Sequence, residues 1–269
     1  QGGRPFLSTN TTKNKRIPGA RSIRLFVDHS LTVRLLFGNP QKASPKISPD
    51  ASRLAFLAPH EGVLNLWASD SLDPASARPL THERRRGIRS YFWAEDRKSL
   101  LYLQDKDGDE NWHLHQVEVS SGASRDITPY PEVQAQVLAT DPKFPHEILV
   151  AMNRRDKRLH DVYRLDLRGG EPVLIAENPG DAMGWLADAH FRVRGHKAVL
   201  PDGGGALRVR EDDGTWRELL RWGPEDSVGA HGFSPEGTSL YLESSLGSDT
   251  SRLVELELET GKVREILSD

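Results

Sequence analysis

The sequence has no cysteine and only two methionines. Lack of cysteine excludes disulfide bonds, thiolate metal sites and a cysteine nucleophile, but it fits both reducing and oxidising compartments. Long apolar runs are missing as well. The most apolar early stretch, "SIRLFVDHSLTVRLLFG" at 22–38, is too short and too charged to span a bilayer. The sequence therefore predicts no membrane span and leaves the compartment open.

Charge of one sign is also scarce. There are 36 Lys plus Arg against 39 Asp plus Glu, which gives a net charge of -3 with no long run of either sign. A nucleic-acid partner or an anionic membrane would favour a basic patch, so neither is predicted. No cofactor is predicted. Because the chain begins with Gln1 rather than Met, we expect a processed or shortened chain, and a removed signal peptide stays an open alternative.

A repeat of about 46 residues organises most of the chain. The segments "KISPDASRLAFLAP", "YFWAEDRKSLLYLQD", "LATDPKFPHEILVAM" and "GFSPEGTSLYLESS" share a polar turn followed by an alternating apolar strand, and "GWLADAHFRVRGHKAVL" is a weaker copy. Equivalent turn positions recur at intervals of 46, 47, 46 and 47 residues, at Ser48, Ala94, Asp141, Ala187 and Ser234. So regular a period predicts a repeat fold.

Each period contains four short strands separated by turn-forming residues. Four antiparallel strands in 40 to 50 residues are typical of a β-propeller blade, whereas a helical solenoid would need apolar spacing of 3.6 residues. The predicted fold is therefore all-β, with about five propeller blades that form part of a larger ring. The propeller is predicted over 36–269, with blades near 43–81, 90–128, 133–177, 182–222 and 228–268.

The segment 1–35 does not fit a complete blade. Its first 21 residues are polar and marked by Gly and Pro, so we expect a partly disordered extension. "SIRLFVD" is predicted to add at most one strand.

The ordered set of "FGNPQKASPKISPDASRLAFLAPHEGVLNLW", "GIRSYFWAEDRKSLLYLQDKDGDENWHLHQVEV", "DPKFPHEILVAMNRRDKRLHDVYRLDL" and "WGPEDSVGAHGFSPEGTSLYL" resembles the N-terminal propeller of bacterial prolyl oligopeptidase family serine peptidases, in the acylaminoacyl-peptidase or dipeptidyl-aminopeptidase-like branch. The resemblance covers about 36–269. It implies a propeller, usually of seven blades, that caps a C-terminal α/β-hydrolase domain. It also implies peptide substrates and that hydrolase domain as partners.

The sequence departs from that family at its chemistry. The family's nucleophile lies in a G-x-S-x-G turn, and no such motif occurs here. No catalytic residue can therefore be assigned, and the chain alone is expected to lack peptidase activity. With fewer blades than the family uses, its exposed blade edges are also expected to favour self-association.

The most concentrated group of acids is in "DKDGDENWH". Counting from Asp105 as the first position of a calcium loop, Gly108 falls at position 4 and Gln116 at position 12, so the EF-hand spacing fails. The stretch lies between two predicted strands of one blade, where a turn is expected. His113 and His115 share one strand face, but no third metal ligand accompanies them, so no metal site is predicted. "HERRRGIR" at 82–89 is interpreted as a solvated connector between blades.

Loops that join the second and third strands emerge on the same side of a propeller. The acidic loop of blade 2 is therefore predicted to pair with the basic loop "NRRDKRLHD" of blade 3, on a face directed at the substrate path or the peptidase domain. The candidate site residues are Asp105, Asp107, Asp109, Glu110, Arg154, Arg155, Lys157 and Arg158.

Three functions fit these patterns. The favoured one is a non-catalytic propeller that selects peptides for a serine peptidase. The first alternative is a free-standing interaction propeller of the TolB type. The second is a five-bladed glycoside-active propeller, which needs paired carboxylates at its centre; the absence of acids from the predicted inner strands argues against it.

Overall fold

The computed structural model describes residues 38–268, and in this range the chain forms five four-stranded antiparallel sheets. We number the sheets as blades 1 to 5 in chain order. The strands of blades 1 and 2 are β1 (Ala43–Ile47), β2 (Leu54–His60), β3 (Val63–Ser69), β4 (Arg78–Pro79), β5 (Ser90–Trp93), β6 (Ser99–Gln104), β7 (His113–Glu118) and β8 (Ser124–Asp126).

Blades 3 to 5 repeat the same order. Their strands are β9 (Ala135–Ala139), β10 (Glu147–Asp156), β11 (Leu159–Asp166), β12 (Val173–Ala176), β13 (Ala182–Ala187), β14 (Val193–Val199), β15 (Gly205–Arg210), β16 (Trp216–Trp222), β17 (Val228–Phe233), β18 (Ser239–Ser244), β19 (Arg252–Glu257) and β20 (Val263–Leu267). The one helical element in 38–268 is a 3-10 turn at Pro74–Ser76. The predicted all-β class with four-stranded propeller blades is confirmed.

The first hairpin of each blade explains the sequence period. In blade 1 the buried Ser48 hydroxyl accepts hydrogen bonds from the backbone N–H groups of Ser52 and Arg53. Ser234 has the same role in blade 5, where it accepts from Thr238 and Ser239. In blades 2 and 4 the equivalent positions are alanines, and Asp96 and Asp188 accept the backbone hydrogen bonds of the turn instead.

Aromatic side chains of the first strands fasten blades 2 and 4 to the blades before them. Tyr91 of β5 donates a hydrogen bond to the Ala55 carbonyl at 2.9 Å, and Trp93 donates to the Lys46 carbonyl at 3.1 Å. In blade 4, Trp185 donates to the His160 carbonyl of blade 3 at 2.8 Å. These rings combine a large apolar contact with one directed polar bond, which fixes the relative position of neighbouring blades.

Apolar clusters fill the interfaces between consecutive blades. One joins blades 1 and 2, a second joins blades 2 and 3, a third joins blades 3 and 4, and a fourth joins blades 4 and 5. Within 38–268, no such cluster joins blade 5 to blade 1. The first strands β9, β13 and β17 contact one another in sequence, as strands next to a propeller axis do. The first strands of blades 3, 4 and 5 thus line the inner side.

Residues 1–37 and 269 lie outside the described range, and so does the strand predicted at "SIRLFVD". Across the described range, no helix has the length and apolar character needed to cross a membrane.

Candidate functional site

A cavity of about 730 Å³ opens beside the acidic loop. It is formed by three segments that leave strands on one side of blade 2. These are the connector from blade 1, the loop from β6 to β7 and the connector to blade 3. Charged side chains dominate its lining, so the cavity suits a polar ligand rather than an apolar one.

The acidic loop is a tight turn held by its own carboxylates. Asp109 accepts hydrogen bonds from the backbone N–H of Lys106 at 3.2 Å and of Asn111 at 3.1 Å. Burial raises the pKa of Asp109, but hydrogen bonds from the Asn111 side-chain amide and backbone N–H outweigh it, so the net shift is downward. Asp107 and Glu110 have positive φ angles of 56° and 60°. Local geometry therefore accounts for much of the acidic composition of this loop.

Asp105 is the buried member of the loop, with a side chain that is 0% exposed. Its carboxylate lies 2.8 Å from Nε of Arg86, whose side chain is 31% exposed. The Arg86 guanidinium also lies over the Trp112 ring, 5.7 Å from its centroid. A Cβ atom at Gly108 would be 2.5 Å from Nη1 of Arg86, so the loop packs directly on this arginine. Arg86 thus joins the connector to the loop.

Asp107 makes the second link between these segments. Its carboxylate accepts two hydrogen bonds of 3.1 Å from Arg85, and both side chains are largely exposed. The interpretation of "HERRRGIR" as a solvated connector is therefore wrong for Arg86, which has a buried partner, and incomplete for Arg85. The cause is the desolvated Asp105 carboxylate, which requires a cation within reach.

The predicted ion pairs between the acidic and basic loops do not form. Within the described residues, none of the four acids lies within 4.0 Å of a charged nitrogen of the four basic residues. Arg154 pairs with Glu171, and Arg158 pairs with Asp156 of its own hairpin. The four bases and Asp105, Asp107 and Asp109 have other partners, and Glu110 has no charged partner within 4.0 Å among the described residues, so the prediction of direct ion pairs between the two loops is wrong.

Arg155 and Lys157 show where the basic loop does bind. Arg155 forms a two-point contact with the buried Asp161, at 2.8 and 2.9 Å. The Lys157 ammonium donates to the carbonyls of Pro131 and Glu132, at 3.1 and 2.9 Å. Pro131 and Glu132 line the same cavity as the acidic loop. Lys157 therefore contacts the cavity wall, although it does not contact the acids.

A cluster of histidines and an acid, His113, His115 and Asp126, lines another part of the cavity. Nδ1 of His113 lies 2.6 Å from the Asp126 carboxylate. His115 stacks on the Tyr102 ring, with centroids 5.1 Å apart. Burial lowers the pKa of His115, although the Asp126 charge opposes that shift, so the ring is held neutral near pH 7. His113 and His115 thus share one face, as the sequence predicts.

Glu83 completes the group of titratable side chains around the cavity. Burial raises the pKa of its carboxyl. Glu83, Asp126 and Arg86 could not be assigned to this site from the sequence, because the connector that carries Glu83 and Arg86 and the end of β8 that carries Asp126 meet the acidic loop only in the fold. No set of three or more His, Cys, Asp or Glu side chains in 38–268 has an arrangement that could hold a metal ion. The arrangement can bind and orient charged groups of a ligand.

Comparison with known proteins gives a direct match over most of the chain. Dipeptidyl aminopeptidase BIII of Pseudoxanthomonas mexicana is 39% identical over 236 residues, which are 87% of this chain and 34% of that protein. Dipeptidyl peptidase family member 6 of Caenorhabditis elegans is 27% identical over 90% of this chain and 35% of that protein. The chain spans about a third of the length of these relatives. No family model matches the sequence.

Solved structures agree on the fold. A prolyl endopeptidase superposes with a TM-score of 0.63 at 12% identity, over 85% of this chain and 36% of that chain. At that identity the superposition shows the fold alone. The sequence match and the fold together confirm the resemblance drawn from the blade motifs. The chain belongs with the N-terminal propellers of prolyl oligopeptidase family serine peptidases.

Proposed function

We propose that this chain is the part of a serine peptidase that selects which peptides reach a hydrolase domain. The observation that carries the proposal is the 236-residue match to a dipeptidyl aminopeptidase, of which this propeller makes up about a third. The remaining length of such a relative is where a hydrolase domain and its nucleophile belong.

The selection is steric and electrostatic. Blades fixed to each other by large aromatic contacts form a stiff wall, and a stiff opening admits an extended peptide more readily than a folded protein. The cavity beside the acidic loop adds charged groups that orient polar parts of the peptide. In this proposal the loop face of blade 2 is directed at the substrate path.

Activity of two purified polypeptides tests the proposal. One is the 269-residue chain, and the other is the polypeptide from the complete reading frame that encodes it. Both are assayed with dipeptidyl 4-nitroanilides, with and without a serine-directed fluorophosphonate. We expect fluorophosphonate-sensitive hydrolysis by the complete polypeptide alone. Serine-dependent hydrolysis by the 269-residue chain, or a complete reading frame without a serine hydrolase segment, would contradict the proposal.

A further inference from the structure

A second cavity, which we call the inner groove, lies between the first strands of blades 2 and 3. It has a volume of about 750 Å³. Its walls carry seven half-buried or buried apolar side chains, namely Phe92, Leu103, Trp112, Ala135, Val137, Leu138 and Ala139. The lining of the inner groove is therefore largely apolar, in contrast to that of the charged cavity beside the acidic loop.

The backbone at the inner groove can also bind a ligand. β5 and β9 are each at one end of their sheet, so each has a free edge. An edge strand leaves alternate N–H and C=O groups unpaired by its sheet, and these groups can pair with an extended chain. An apolar groove between two such edges fits a peptide in the extended conformation.

Arg89 supplies the charge at this groove. The connector from blade 1 to blade 2 contains four arginines, of which Arg84, Arg85 and Arg86 pair with Glu61, Asp107 and Asp105. Arg89 is exposed, lines the groove and has no acidic partner within 4.0 Å among residues 38–268. An arginine without an acidic partner in this range, placed beside an apolar groove, is complementary to a ligand with two features. These are an apolar group and a carboxylate a short distance further along the ligand chain.

We propose that the inner groove binds an extended peptide segment in which a large apolar side chain and a carboxylate side chain are two residues apart. This spacing follows from strand geometry, because residues i and i+2 of an extended chain point to the same side. The apolar side chain enters between β5 and β9, and the carboxylate pairs with Arg89. The inference rests on the proposed function, since it names the class of peptide that the propeller favours.

Calorimetric titration of the 269-residue chain tests this directly at low salt. The probe is Ac-Ala-Phe-Ala-Glu-Ala-NH2, whose blocked ends exclude recognition of a terminus. Replacing its Phe with Ala should weaken binding about tenfold or more, because the apolar burial is lost. Replacing its Glu with Gln should weaken binding about two- to fivefold, the range for an exposed ion pair.

Two protein variants assign the charge effect. Arg89→Gln should weaken binding of the Glu peptide by the same factor and leave binding of the Gln peptide unchanged. Arg97→Gln is the control, since it removes the same charge from an exposed position of blade 2 that lines neither cavity, and it should change neither. Equal binding of the Phe and Ala peptides, or an equal effect of the two variants, would overturn the inference.

The binding assay separates this inference from the proposed function, because it requires no hydrolysis. If the complete polypeptide is an active serine peptidase but the chain shows no preference among the peptides, only the groove assignment fails. If peptides bind as expected but no peptidase activity is found, the groove assignment stands and the proposed function fails.

Discussion

The β6–β7 loop of blade 2 and the β10–β11 hairpin of blade 3 occupy equivalent positions in neighbouring blades, and each has a buried aspartate beside it. Asp105 and Asp161 both have side chains that are 0% exposed. Each pairs with an arginine that keeps partial contact with solvent, Arg86 at 31% and Arg155 at 40% exposure. The two loops therefore use the same kind of ion pair.

The two loops differ in which segment supplies the arginine and in how many hydrogen bonds the buried aspartate accepts. Arg155 belongs to the same hairpin as Asp161 and binds it at two points, and the Asn178 N–H donates a third bond at 2.7 Å. Arg86 comes from the preceding connector and lies 2.8 Å from Asp105 without hydrogen-bond geometry, and among the described residues Asp105 accepts one long hydrogen bond, from the Glu110 N–H at 3.4 Å. Partner choice is thus decided by which cation reaches the buried carboxylate, not by the net charge of each loop.

The largest effect is expected at Asp161. Asp161→Ala leaves the Asn178 N–H without its acceptor and Arg155 without its main partner, so we expect a loss of about 2 to 4 kcal/mol in the free energy of unfolding. Urea denaturation followed by tryptophan fluorescence measures it. Asp107→Ala is the control, because its pair with Arg85 is exposed and should contribute less than about 1 kcal/mol. Equal losses in the two variants would show that burial does not control these pairs.

A smaller effect is expected for the pair between Asp105 and Arg86. A double-mutant cycle with Asp105→Ala and Arg86→Ala should give a coupling energy of about 1 to 2 kcal/mol. The same cycle with Arg158 in place of Arg86 should give a value near zero, because Arg158 pairs with Asp156. A larger coupling to Arg158 would restore the pairing across the blade boundary that the structure contradicts.

The smallest effect concerns two glycines that differ in their surroundings. Gly108 and Gly62 have φ angles of +91° and +86°, but only Gly108 has an arginine where a Cβ atom would lie. Gly62→Ala should cost about 1 kcal/mol from backbone strain alone. Gly108→Ala should cost roughly 0.5 to 1 kcal/mol more, because Arg86 must move away from Asp105. Matching losses in urea denaturation would mean that Arg86 does not hold the loop.

The blades are predictable from the sequence because their signals are local. A turn residue such as Ser48 or Ser234 bonds to backbone groups only four or five positions away, and alternating apolar residues follow at once. Blades 2 and 4 have alanine at the equivalent position and close the turn with the nearby Asp96 and Asp188. A window of about 15 residues is therefore enough to identify a first hairpin, and regular spacing identifies the fold.

The cavity beside the acidic loop was only partly predictable. His113 and His115 share a strand, so their common face follows from the period of two. The partner of Asp105 does not, since Arg86 lies nineteen positions earlier in a connector whose path depends on the packing of two blades. Counting charges in neighbouring loops ignores burial, and burial selects the partner. A substrate-facing or domain-facing role for the eight candidate residues stays a prediction.

The most direct test of the proposed function is how the rate of cleavage depends on the distance between the scissile bond and a folded domain attached to the substrate. The complete polypeptide is assayed with two substrates in which the same dipeptide is joined to a folded domain by an unstructured linker. The linker has either 6 or 30 residues, and these lengths reach roughly 20 and 100 Å when extended. A propeller that admits peptides and excludes folded proteins predicts a kcat/KM at least about tenfold lower for the short linker, a factor equal to about 1.4 kcal/mol. Equal kcat/KM values for both linkers would contradict the account.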